Sequence, residues 1–252
     1  MPLQQLPPPN QPFEKIAMDI TQLLETEDGH KYILTIIDHF SRYLVMVPLK
    51  NQTAETVAKK LNRKYISIFG VPNIVLTDQG TNFLSNLMSD ICKLYDITKL
   101  RTVAYWPQGN GRCERVHRTI KKMLSHYVND THTNWRKILP YIVAAYNNRP
   151  HSGVNKSPHE IVFGRKMKTP FNFTGNLSQV TKLQVIKFAN RLSKIWGEVT
   201  KASYEAFLRQ AEQYDKDIKM YNFKINESVL LKNQRVLPKH SKKLTVKWDG
   251  PY

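Results

Sequence analysis

Cysteine is almost missing from this chain. Cys92 and Cys113 are the only two among 252 residues, with no CxxC pair, so a disulfide scaffold is excluded and no sulfur-ligated metal site is expected. Long apolar runs are missing too: none reaches the ~18 residues of a membrane-spanning helix, and no membrane partner is expected. The opening MPLQQLPPPNQPFEK has neither a charged n-region nor an apolar h-region, so it does not read as a signal peptide and a reducing, intracellular setting is expected. Acidic residues are the third shortage. Asp and Glu number 20 against 38 Lys and Arg, a formal net charge of +18. That balance attracts polyanions and makes DNA or RNA the expected partner through counterion release. It argues for binding and says nothing about chemistry.

What is present suffices for a packed interior: 41% of the residues are hydrophobic. Residues 1–12, with three consecutive prolines at 7–9, read as an extended proline-rich linker. Three apolar runs follow, EKIAMDITQL, KYILTIIDHF and YLVMVPLK, separated by turn-forming residues 26–30 and 39–42. They predict an antiparallel three-stranded meander. Thr53 is placed to cap a helix that runs to about residue 69 and is stopped by Gly70 and Pro72. NIVLTD reads as a short buried strand, followed by a helix over 84–95 and a strand near LRTVAY. Strands alternating with helices after a hairpin unit predict a mixed α/β layer fold.

Beyond these, a helix is expected over 134–148, with Trp135, Leu139, Tyr141, Ile142, Ala145 and Tyr146 as packing residues. SPHEIVFGR has a Ser-Pro helix start and a Gly stop. Residues 178–222 read as one long polar helix, a connector or a partner-binding element. FKINESVLLKNQRV and KKLTVKWDGPY have strand character. Residues 171–252 hold 15 Lys/Arg against 7 Asp/Glu; a nucleic-acid contact and an ordinary solvated surface both fit.

Three acidic residues stand out from this frame. Asp19 lies in the first apolar run, Asp78 closes NIVLTD, and 35 residues separate Asp78 from Glu114. At about 100° per residue, Val116, Ile120, Met123 and Tyr127 form one helical face, the core face. Arg115, Arg118, Lys121 and Lys122 share the opposite face with Glu114. A carboxylate among cations fits a surface ion pair; a metal ligand with basic neighbours for DNA phosphates fits better. Asp38 ends its strand before His39 and reads as a turn or cap in preference to a catalytic acid. In WPQGNG, Gln108 and Asn110 offer hydrogen bonds, and Arg112 adds a cation beside them. Gly80 reads as permitting a sharp turn after Asp78, with Asn82 orienting ligands there.

The segments IAMDIT, IVLTDQGTNF and YWPQGNGRCERVHRTIKKML, then NWRKILPYIVAAYNNRPH, SPHEIVFGR and a terminal KWDGPY, resemble the D,D(35)E integrases of retroviruses and LTR retrotransposons, especially the Gypsy type. The similarity runs from about Pro12 to about Lys168, and more thinly to the end. It implies a ribonuclease-H-like mixed five-stranded sheet flanked by helices over 13–170, a helical connector over 171–222, and the truncated start of a small β-barrel over 223–252. It implies that the strands of Asp19 and Asp78 lie side by side. Asp19, Asp78 and Glu114 would be the catalytic residues and the ligands of two Mg²⁺ (or Mn²⁺) ions, Asp19 bridging both and the others holding one each. In the family the loop before the last carboxylate meets DNA, which would set Gln108, Asn110 and Arg112 beside Arg115, Arg118, Lys121 and Lys122 as DNA contacts. The family's N-terminal zinc module has no counterpart here, and no zinc site is expected.

The chemistry agrees with that set. In-line attack on a phosphodiester shielded by negative charge is served by two metals, one at the attacking and one at the leaving oxygen, and Mg²⁺ takes oxygen ligands while keeping several waters. The expected activity is trimming of retroelement DNA at its 3′ ends and joining of the freed 3′-hydroxyls to a target duplex. A homo-oligomer acting in the nucleus, after a cytoplasmic stage, is expected. The alternative is a relic or domesticated copy that binds nucleic acid without catalysis. A plain ribonuclease-H-like nuclease would cut without joining; WPQGNG ahead of Glu114 and the terminal Gly-Pro-Tyr favour integration over it.

Overall fold

The computed structural model describes residues 8–78, 80, 83, 85–101, 111–151, 154–168, 182–215, 227–232 and 248–251. Two compact units divide them, one reaching to Arg209 and one beginning at Gln210.

The first unit is built on a five-stranded sheet in the order β3-β2-β1-β4-β5. β1 (Lys15–Gln22), β2 (Tyr32–Asp38) and β3 (Leu44–Leu49) form the expected antiparallel meander. Alternation along β1 sends Ile16, Met18 and Ile20 to one side and Ala17, Asp19 and Thr21 to the other. β4 (Ile74–Thr77) lies parallel to β1, and β5 (Thr98–Arg101) parallel to β4. The last strand therefore starts earlier than the motif near LRTVAY indicated, and residues 102–105 of that motif lie outside the described residues.

One face of the sheet is covered by α1 (Ala54–Leu61) and α3 (Asn86–Leu94). The Thr53 hydroxyl accepts the Thr56 N–H, capping α1 as expected. A π-turn over Asn62–Ile66 and the single turn α2 (Ser67–Phe69) continue it, until Gly70 at φ 87 ends the run. Periodicity did not reveal the π-turn, because buried Leu61 and Tyr65 keep a four-residue spacing that an α-helix also satisfies.

The other face is covered by α4 (Gly111–Ser125) and α5 (Trp135–Asn148). Cys113, Val116, Ile120 and Leu124 of α4 pack there. Tyr127 does not: α4 ends at Ser125, so the helical extrapolation stops short of it and its side chain is 66% exposed. In α5 the buried stripe is Trp135, Leu139, Ile142 and Tyr146, at helical spacing. Tyr141 and Ala145 fall off that stripe and are exposed, against expectation.

α6 (Pro158–Phe163) starts where the Ser157 hydroxyl accepts the Glu160 N–H and stops at Gly164, φ 64. α7 (Lys182–Asp215) packs Ile195 and Val199 on Phe40 and Ile161, and the Trp196 indole donates to the Ile161 carbonyl at 2.9 Å. No helix of the described residues is long and apolar enough to cross a membrane. In the second unit β6 (Leu231–Lys232) pairs antiparallel with β7 (Trp248–Asp249); residues 227–230, expected as strand, form none, and the rest of the expected barrel strands falls outside the described residues.

Candidate active site

Asp19 sits on the β1 face that α4 covers. Its Oδ1 accepts the Ile20 N–H at 2.8 Å. On the adjacent parallel strand the last paired residues are Met18 and Thr77, so Asp19 and Asp78 each follow that rung by one residue. This is the side-by-side placement the resemblance implied. The Asp78 Oδ1 accepts the Gly80 N–H at 3.0 Å. A Cβ at Gly80 would stand 3.0 Å from the same oxygen, so glycine serves here by close approach to the carboxylate.

Glu114 projects from the first turn of α4, exposed, with Arg115, Arg118, Lys121 and Lys122 exposed around it. The wheel argument from sequence holds for all five. Of the other expected DNA contacts, Arg112 lies in the same helical turn with its side chain outside the described residues, and Gln108 and Asn110, like Asn82, lie outside them altogether.

Charge links the three carboxylates. Burial pushes the Asp19 pKa up to about 6, the negative charge of Asp78 adds to the rise, and Glu114 adds less. The Ile20 N–H and the Lys121 ammonium oppose it. Among the described residues no three His, Cys, Asp or Glu side chains form a group that could hold a metal ion. The donor chemistry nevertheless fits a hard divalent cation: oxygen ligands, and negative charge at Asp19 that a cation would relieve.

Sequence reasoning missed His117. It lies one turn past Glu114, on the boundary between the two helical faces, and its ring touches Asp19, Thr21 and Thr35. Burial, then Lys121, push its pKa down to about 4. At neutral pH the ring is uncharged, so its 3.3 Å approach to Asp19 is a polar contact and not an ion pair. Spacing of three from an acidic residue was the available signal.

Asp38 is structural, as read from the sequence. Fully buried, it accepts the Phe13 N–H at 2.9 Å, the Ser41 N–H at 2.7 Å and the Ser41 hydroxyl at 2.5 Å.

Residues 9–107 match the family described as Integrase core domain. The resemblance to integrases read from the sequence is borne out over that segment. The matched region holds Asp19 and Asp78 and ends before Glu114. The retrovirus-related Pol polyprotein from transposon 412 of Drosophila melanogaster is 30% identical over 250 residues, 97% of this chain and 20% of the relative. The Pol polyprotein of Radiation murine leukemia virus (strain Kaplan) is 30% identical over 244 residues, 93% of this chain and 39% of the relative. The chain thus spans a minor part of these polyproteins. A chain of the simian T-cell lymphotropic virus intasome in complex with PP2A regulatory subunit B56 gamma superposes with a TM-score of 0.58 at 18% identity, covering 72% of this chain and 65% of that one. The shared fold is ribonuclease-H-like.

Proposed function

We propose that this integrase core is a polynucleotidyl transferase that processes the 3′ ends of retroelement DNA and joins them to a target duplex. The observation that carries the reading is the parallel β1–β4 pairing, which sets Asp19 beside Asp78, with the charge of Glu114 felt at Asp19. Asp19, Asp78 and Glu114 would hold Mg²⁺ or Mn²⁺, two ions per site. When bound, those ions supply Lewis-acid activation of the attacking oxygen and charge relief at the leaving one.

The residues of the chain do the rest. The α4 cations hold DNA phosphates over the carboxylates. Water, then the freed 3′-hydroxyl, attacks phosphorus in line; a P–O bond forms and the bond to the leaving 3′-oxygen breaks. The enzyme works on DNA ends and target together, as a homo-oligomer, in the nucleus.

Incubation with Mg²⁺, a labelled duplex matching the element's terminus and a plasmid should move label into the plasmid. The Asp78→Asn variant should bind DNA and join nothing. Strand transfer retained by that variant would sink the assignment, and binding without joining by the wild type would point to a nucleic-acid-binding relic.

A further inference from the structure

The His117 ring is wedged between α4 and the two strands beneath it. Its Nδ1 lies 2.9 Å from the Thr21 hydroxyl and 3.3 Å from Oδ2 of Asp19, and its Nε2 lies 2.9 Å from the Thr35 hydroxyl. Asp19 and Thr21 alternate on one face of β1, and Thr35 is the register partner of Asp19 on β2. One imidazole therefore spans neighbouring positions of both strands. The His117 side chain is 12% exposed and Thr35 is fully buried, so water competes little for these groups.

Nδ1 faces two oxygens, the Thr21 hydroxyl and Oδ2 of Asp19. An ionised carboxylate only accepts hydrogen bonds, so with the proton on Nδ1 the ring turns a donor toward Asp19, while Nε2 accepts from the Thr35 hydroxyl. The other Asp19 oxygen is already held by the Ile20 N–H. In that tautomer each oxygen of the carboxylate has a donor of the chain beside it.

We propose that His117 is a positioning residue, which orients the Asp19 carboxylate and pins α4, with Glu114 one turn away, against β1 and β2. The proposal rests on the reading of Asp19 as a metal ligand. Partners that orient a ligand typically change metal affinity about 10–100-fold when removed.

The test is Mn²⁺ binding to the whole chain, followed by loss of the paramagnetic resonance signal of free Mn²⁺, without DNA. Asn at 117 puts an amide nitrogen where Nδ1 stands; Gln puts it near Nε2 and leaves Asp19 without that partner. His117→Gln should weaken binding roughly tenfold or more, while His117→Asn should stay within about threefold of wild type. Thermal melts establish that each variant is folded. A purely structural role would give Asn and Gln the same affinity, and that equality overturns the proposal. Should the Gln variant not fold, a tenfold loss in folded His117→Asn overturns it equally. Asp19→Asn separates the two layers: binding unchanged there removes the ligand reading and the proposal with it, whereas binding lost there but wild-type in both His117 variants removes the proposal alone.

Discussion

Asn147 bonds both backbone groups of Leu44: its Oδ1 accepts the Leu44 N–H and its Nδ2 donates to the Leu44 carbonyl, each at 2.9 Å. β3 is an edge of the sheet, and edge strands leave a row of backbone groups unpaired. A side-chain amide from α5 replaces the missing strand at this point. Asn147→Ala should leave two buried groups unsatisfied and cost about 2–4 kcal/mol. Urea denaturation measures it; a loss below about 0.5 kcal/mol would show that water or a neighbour fills the gap.

Tyr65 makes the opposite case. Its side chain is 1% exposed and packs on Phe13 and Phe69, but among the described residues its hydroxyl has no hydrogen-bond partner. Burial, with nearby Asp38 second, drives its pKa upward. Tyr65→Phe keeps the ring and removes an uncompensated polar atom, so stability should be unchanged or rise by up to ~1 kcal/mol. A destabilisation above 1 kcal/mol in the same denaturation series would mean that the hydroxyl is satisfied after all.

Local signals carried much of the fold. Thr53, Gly70, Ser157 and Gly164 act at the helix ends where capping chemistry placed them, and Glu114 faces outward because 3.6-residue periodicity is a property of the helix alone. The site was legible only in part. No periodicity states that β1 lies beside β4, and the adjacency of Asp19 and Asp78 came from family resemblance. His117 escaped notice because its partners Thr21 and Thr35 meet only after β1 and β2 have paired. Tyr141 was misplaced for a simpler reason: a side chain counted as apolar can still fall off the buried stripe.

His151 gives a prediction in pH. Burial, and then the positive charges of Arg42 and Arg149, push its pKa from the usual 6.5 down to about 4. Between those values the unfolded chain binds the proton and the folded chain resists it. The contribution of His151 is therefore complete above pH 6.5 and is lost progressively as pH falls toward 4. His151→Phe keeps a ring against Tyr146, whose centroid lies 5.0 Å away, and cannot titrate. Chemical denaturation between pH 4 and 7 should give the variant a shallower acid-side decline than the wild type. Parallel declines would exclude His151 as a contributor.

The cations of α4 can be tested apart from catalysis. Arg115, Arg118, Lys121 and Lys122 are all exposed, so replacing them with Gln should leave the fold within about ±0.5 kcal/mol per site. Lys121 also holds the Asp19 pKa down, so a triple variant that keeps Lys121 isolates DNA contact from any effect on the carboxylates. Each phosphate contact contributes about 0.9 to the slope of log affinity against log salt. If all three removed cations touch phosphates, the slope should flatten by about 2.7, with weaker binding at low salt and the same loss for every duplex sequence. Fluorescence anisotropy across a salt series reads both quantities. A slope that does not change would move the phosphate-binding surface off α4, whatever the fate of the strand-transfer activity.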